Sequence, residues 1–282
     1  MRLKYIIPVV ILGLTSCKKA PKEVVSCDIT QDPNNHFTIL NNSDSPDRAF
    51  NVFCRKVDVF GVKLYATPGV SDTKLLHAAN VMAQYLDNNE DGVLDNPAVV
   101  SKMIESKAYM CIFDKDKSKA QKQHQRSIPN GYNGQDLYAT EIFENGGGSF
   151  DATLEEVFHL ITHTGYANVY PNNFGEGKGS EIANAMDIAR GGYFEKIPKP
   201  YPSGAWYTYD DKTCDYSCMV TEYHYWALTS ILGAQANRTD IQQEWKLNTK
   251  ELVQTTDPVV YNLLTDPVYA FATVLPNGKY KQ

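Results

Sequence analysis

The sequence lacks an apolar run long enough to cross a membrane. Tyr5 to Leu14 is its longest candidate, about half of the ~20 residues a spanning helix needs. It also lacks a basic block: 33 Asp and Glu outnumber 27 Lys and Arg, for a net charge of −6. That balance argues against a general nucleic-acid binder. No Cys-x-x-Cys pair occurs, which disfavours a cysteine-based zinc site. A Gly-x-Ser-x-Gly elbow, a phosphate loop and a dinucleotide fingerprint are absent too, as are internal repeats and low-complexity segments.

What remains is an ordinary globular composition, 43% apolar and 21% charged over 282 residues. The length suits one large domain or two small ones, and residues 27–282 are expected to form a single α+β domain. Tyrosine is frequent, with 18 residues, many of them in the second half. Buried tyrosines need a partner for the hydroxyl, so a Tyr-rich half suits a polar cleft. A sugar- or peptide-binding groove and a wet, inert core both fit.

Arg2 and Lys4 precede the short apolar run, which ends in Leu14-Thr15-Ser16-Cys17. This resembles a bacterial lipoprotein signal, and Cys17-Lys18-Lys19 is similar to the start of many Bacteroidetes lipoproteins. The resemblance implies a signal peptide over residues 1–16, lipidation of Cys17 and a tether over 17–26. The mature protein would then be lipid-anchored in the cell envelope, facing the periplasm or the cell exterior. In an oxidising compartment disulfides persist. Cys214 and Cys218 are close enough to bridge, Cys27 with Cys54 is the expected second bond, and Cys111 is left as a buried thiol.

Along the chain, residues 56–67 alternate as a strand or hairpin, and 73–86 follow helical spacing behind Asp72 as cap. A helix is expected from about Pro97 to Ser106, a buried strand over 107–113, a polar loop over 114–133 and a strand over 137–143. A Gly-rich loop (145–149), a helix over 153–165, a loop over 166–179 and a helix over 181–190 come next. A Tyr/Pro/Gly/Asp loop (193–218), a helix over 219–236 and one or two more over 242–264 complete a mainly helical C-terminal half.

Between the first two helices lies Asp87-Asn-Asn-Glu-Asp-Gly-Val-Leu-Asp95. It resembles an EF-hand calcium loop over 87–98. Asp87, Asn89, Asp91 and Asp95 supply oxygen side chains, Val93 its carbonyl, and Gly92 the turn. At the twelfth place Ala98 stands where the motif has a bidentate Glu, so the resemblance implies a weaker or partly water-ligated ion.

The helix at 153–165 carries Leu154, Val157, Phe158 and Ile161 on one side. Glu155, His159 and His163 are spaced four apart, so they share a face, with Glu156 beside them. Two imidazoles and two carboxylates on one helix edge suit a divalent metal. Glu155-Glu156-Val-Phe-His159, after a strand and a Gly-rich loop, resembles the His-Glu-x-x-His helix of zincin metallopeptidases, with Glu155 replacing the first His. The resemblance implies a zincin-like α+β fold, a small mixed sheet beside an active-site helix, and zinc as the favoured ion. It makes Glu156 the general base, Glu155 and His159 ligands, and Glu181 or His163 the third ligand within a metal-site region over 153–190. The departure at Glu155 softens the preference for zinc and admits manganese or iron.

Of the other candidates, Glu222 is expected to line the cleft and His224, two residues on, to be structural. Arg190 suits either a substrate carboxylate or an ion pair with Asp187. The implied activity is hydrolysis of peptides; a calcium-stabilised surface binding protein and an inactive zincin descendant are the alternatives.

Overall fold

The computed structural model describes residues 27–43, 45, 47–144 and 150–281. The signal peptide, Cys17, the tether and the Gly-rich loop at 145–149 lie outside the described residues. Among those described, no helix is long and apolar enough to cross a membrane.

The first half is a mixed five-stranded sheet: β1 (Leu40–Asn41), β2 (Arg55–Val59), β3 (Val62–Ala66), β4 (Ala108–Phe113) and β5 (Asn133–Tyr138), in that spatial order. β1, β2 and β3 pair antiparallel, whereas β3–β4 and β4–β5 are parallel. The 56–67 segment is thus a hairpin, turned by Phe60 and Gly61 at φ 51° and 94°. Two left-handed residues in succession match the twist of the flanking strands.

Parallel pairing needs crossovers, and helices supply them. α1 (Asp72–Leu86) and α2 (Pro97–Glu105) join β3 to β4, and α3 (Lys119–Gln125) joins β4 to β5. The cap of α1 is Ser71, whose hydroxyl accepts from the Lys74 N–H. Asp72 stands one residue later and pairs with the buried Arg55 guanidinium. α3 forms inside the expected polar loop because Ser118 caps it and it buries Gln121 and His124. β5 begins at Asn133 rather than 137, because residues 133–138 pair with all six residues of β4. Residues 139–141 then turn away as a short 3-10 segment.

Strand alternation divides the sheet's two faces. Tyr65, Tyr109, Cys111 and Phe113 pack with Phe50 and Phe53 in one aromatic cluster, closed by α3. Val57, Val59, Leu64, Met110, Ile112 and Leu137 face the larger core, where α1 and the central helix α4 (Thr153–Ile161) lie. Val157, Phe158 and Ile161 are fully buried there, about 1.5–3 kcal/mol of transfer free energy each. His77 of α1 bonds Asp151 at 2.6 Å, and Asp151 accepts the Thr153 N–H at 3.1 Å, which fixes where α4 begins.

α4 does not run straight to residue 165. Thr162–Tyr166 form a widened π-turn, in which Thr162 and Thr164 hydroxyls donate to the carbonyls of Phe158 and Leu160. The turn presses on α2: a Cβ added at Gly165 would lie 2.6 Å from Val99. The following segment contains α5 (Ala167–Val169) and α6 (Pro171–Phe174), short turns where a loop is expected. The remaining helices are α7 (Glu181–Ala189), α8 (Tyr216–Ile231), α9 (Lys250–Thr256) and α10 (Pro258–Thr265), with irregular segments between and after them. α8 begins earlier than the expected 219 because Asp215 caps it through the Cys218 N–H.

Candidate metal centre

α4 and α8 cross with one polar patch between them. Glu155 and His159, one turn apart on α4, meet Glu222 of α8, and a ligand atom of each lies within 4.8 Å of the others. His159 Nε2 is 3.6 Å from a Glu222 oxygen, and His159 Nδ1 is 3.7 Å from Glu156 Oε2. Neither contact is a hydrogen bond, and Nε2 is buried with no partner. A buried imidazole nitrogen left open costs free energy unless something completes it.

Neighbouring residues orient the carboxylates. β5 parity turns Gln135 and Leu137 toward α4, and Gln135 Nε2 donates to Glu156 at 2.5 Å. The Tyr225 hydroxyl lies near Glu155 and the Tyr209 hydroxyl near Glu222, and each favours the charged form of its carboxylate. Tyr225 lies one turn beyond Glu222 on α8, with its ring edge-on to His159 at 5.5 Å.

The electrostatics describe a site short of positive charge. Burial raises the Glu155 pKa to about 8, helped by Glu222 and Glu156 and only partly offset by His159. Burial and Glu156 also raise Glu222. Burial opposes a charge on His159, but Glu222, Glu156 and Glu155 outweigh it and lift its pKa to about 9. One imidazole nitrogen and carboxylate oxygens converging in a desolvated patch fit a divalent transition metal.

His163 and Glu181, the two expected third ligands, stand outside this cluster. The π-turn rotates His163 off the His159 face; it is 55% exposed and bonds Glu176 at 2.7 Å. Glu181 is exposed at the start of α7. Glu222 is the residue that stands with Glu155 and His159. His224, two residues on, faces the opposite way, packed against Phe158, Phe174 and Phe271. Burial pushes its pKa down to about 3, so it is a neutral core residue. Arg190 is fully buried, 3.9 Å from Asp187, and donates to the Phe194 carbonyl at 3.0 Å.

The 87–98 loop sits between α1 and α2, with Gly92 at φ 82°. The buried Asp87 carboxylate accepts the N–H groups of Asp91 and Gly92 and the Tyr280 hydroxyl. Asn89 accepts from Asp91, Asp91 from Val93, and Asp95 from Asn88. Leu94 packs against the core, while the Val93 side chain is 66% exposed.

Cys214 and Cys218 are bonded, with Cα atoms 5.3 Å apart, at the start of α8. Cys27 and Cys54 are free thiols in side-chain contact rather than bonded, and Cys111 is free and buried. Gln135 carries no signal in the sequence, and only the surplus of tyrosine hints at Tyr209 and Tyr225. No family model matches the chain, and no curated protein or solved structure is similar enough to count as a match.

Proposed function

We propose that the chain is a lipid-anchored envelope protein, held to the membrane through Cys17, whose α4–α8 patch is the centre of a zincin-like metal-dependent hydrolase acting on peptides. The observation that carries this reading is the buried, unpartnered His159 Nε2 among the Glu155 and Glu222 carboxylates. Glu155, His159 and Glu222 would hold a divalent ion, with zinc the favoured one. Such an ion lowers the pKa of water and polarises a carbonyl.

Glu156 is the base in this reading. Its carboxylate is 22% exposed, so water reaches it, and Gln135 holds it in place. It accepts a proton from the attacking water and returns it to the leaving amine, as general acid–base catalysis requires. The second place of the zincin pattern thereby keeps its residue and its role. The carboxylate at Glu155 changes the donor set rather than the chemistry.

A Glu156→Gln variant tests this. It should keep its metal and lose hydrolysis of fluorescent casein by about 10²–10⁴-fold. Equal activity in the variant would remove Glu156 as the base, and no hydrolysis by either protein would leave a calcium-stabilised binding protein as the better reading. Calcium is proposed for the 87–98 loop on the strength of its flanking helices, its oxygen side chains and Gly92.

A further inference from the structure

The widened turn over Thr162–Tyr166 sets His163 apart from the metal cluster. Single π-turns set into α-helices occur often at functional sites. Here the turn delivers His163 to a carboxylate held from two sides. One Glu176 oxygen bonds His163 Nδ1 at 2.7 Å, and the other accepts the Thr221 hydroxyl at 2.8 Å. The carboxylate is mostly buried, whereas the imidazole it fixes is open to solvent.

A cavity of about 320 Å³ opens at this histidine, lined also by Ser106, Asn133, Ala167, Asn168 and Glu176. That size is at the small end of ligand pockets. Its polar groups are biased toward accepting hydrogen bonds. Asn133 commits its NH2 to the Ser106 carbonyl at 2.7 Å. Asn168 commits its own to the His163 and Thr164 carbonyls at 2.9 and 3.2 Å. Each amide is left with its oxygen to offer. With a carboxylate at Nδ1, His163 carries its proton there and offers the Nε2 lone pair.

No lysine or arginine stands among the described residues that line the cavity. Lys107, next to Ser106, holds its ammonium 4.8 Å from the centre of the Tyr132 ring and lines a different hollow. Three acceptors backed by a carboxylate match the three N–H donors and single charge of an ammonium. A guanidinium is planar and stacks on aromatic faces, which the described lining lacks.

We infer that the His163–Glu176 cavity binds a primary ammonium group on an alkyl stem, of the kind a lysine side chain carries. His163 Nε2, Asn133 Oδ1 and Asn168 Oδ1 accept its three hydrogen bonds, and Glu176 supplies the balancing charge behind the imidazole. The site uses no metal and stands whether or not the α4–α8 patch holds one.

The side-chain amide signals of Asn133 and Asn168 in nuclear magnetic resonance spectra of the folded protein test this. Nα-acetyl-lysine amide, added at about pH 8 where an ordinary histidine is neutral, should shift both signals saturably. Nα-acetyl-norleucine amide, which lacks the ammonium, and methyl glucoside should leave them in place. His163→Leu should weaken the lysine probe about tenfold at an unchanged melting temperature. Ala167→Leu, which fills the cavity and removes no hydrogen bond, should weaken it at least as much. A stronger response to the lysine probe than to n-butylamine would assign the site to polypeptide, and equal responses would assign it to free amines. No response to the lysine probe, equal binding of the norleucine or glucoside probe, or an unchanged affinity in either folded variant would overturn the assignment.

Discussion

Two buried histidines sit about as deep as each other and live in opposite surroundings. His124, on α3, has both ring nitrogens occupied: Nδ1 bonds the Ala49 carbonyl at 2.8 Å and Nε2 the Tyr109 hydroxyl at 3.0 Å. Rings of Phe50, Phe53, Tyr109 and Phe113 surround it. Burial lowers its pKa and keeps it neutral. His159, on α4, has an open Nε2 and three carboxylates around it, and its pKa is raised to about 9. Depth is therefore no guide to role. A completed set of partners marks His124 as structure. An open Nε2 alone does not set His159 apart, since His224 Nε2 is also buried without a partner; the carboxylates around His159 are what support its proposed role as a metal ligand.

Substituting each histidine in turn should separate the two regions. The largest effect is expected for His159→Asn, which should weaken transition-metal affinity by more than about 100-fold, measured by competition with a chromophoric chelator. An equal loss in His124→Asn would erase the contrast. His124→Ala should instead cost about 2–4 kcal/mol of stability in urea unfolding, through lost packing and lost hydrogen bonds, with metal affinity unchanged.

A pH series sharpens the same point. The folded pKa of His124 lies below its ordinary value of 6.5, so the unfolded chain takes up the proton first. Stability should fall as pH drops below 6.5 and show no contribution from this group above it. His124→Asn should flatten that part of the profile, and an unflattened profile would assign the acid sensitivity elsewhere. The smallest effect is expected at the 87–98 loop, where a calcium-selective chelator should lower the melting temperature by a few degrees. No shift would leave the loop as a turn held by Asp87 alone.

Much of the scaffold was legible because its signals are local. Leu154, Val157, Phe158 and Ile161 repeat at helical spacing, and all are buried as that spacing requires. The hairpin around Gly61, the helix over residues 72–86 and the Cys214–Cys218 bond likewise depend on neighbours in sequence. Two-residue spacing on α8 likewise turns Glu222 and His224 to different sides, toward His159 and toward Phe174 respectively.

What was missed depends on packing between distant segments. A regular helix would have stacked His163 on His159; the widened turn over Thr162–Tyr166, pressed against Val99, prevents it. Glu181 has a plausible separation from His159 but lies on a helix whose start is exposed, whereas Glu222 arrives from α8 by tertiary contact alone. α3 went unread because its seven residues are nearly all polar and its burial comes from the aromatic cluster it covers. Tyr209, inside an irregular loop, carries no periodic signal at all.

The central claim is that Glu155, His159 and Glu222 form a divalent-metal centre. Metal content by mass spectrometry after zinc loading and desalting tests it most directly, in wild type and in Glu222→Gln, His163→Ala and Glu181→Ala. The account predicts about one equivalent in wild type, retained in His163→Ala and Glu181→Ala and lost in Glu222→Gln. A wild type without metal, or a Glu222→Gln variant that keeps it while Glu181→Ala or His163→Ala does not, would contradict it.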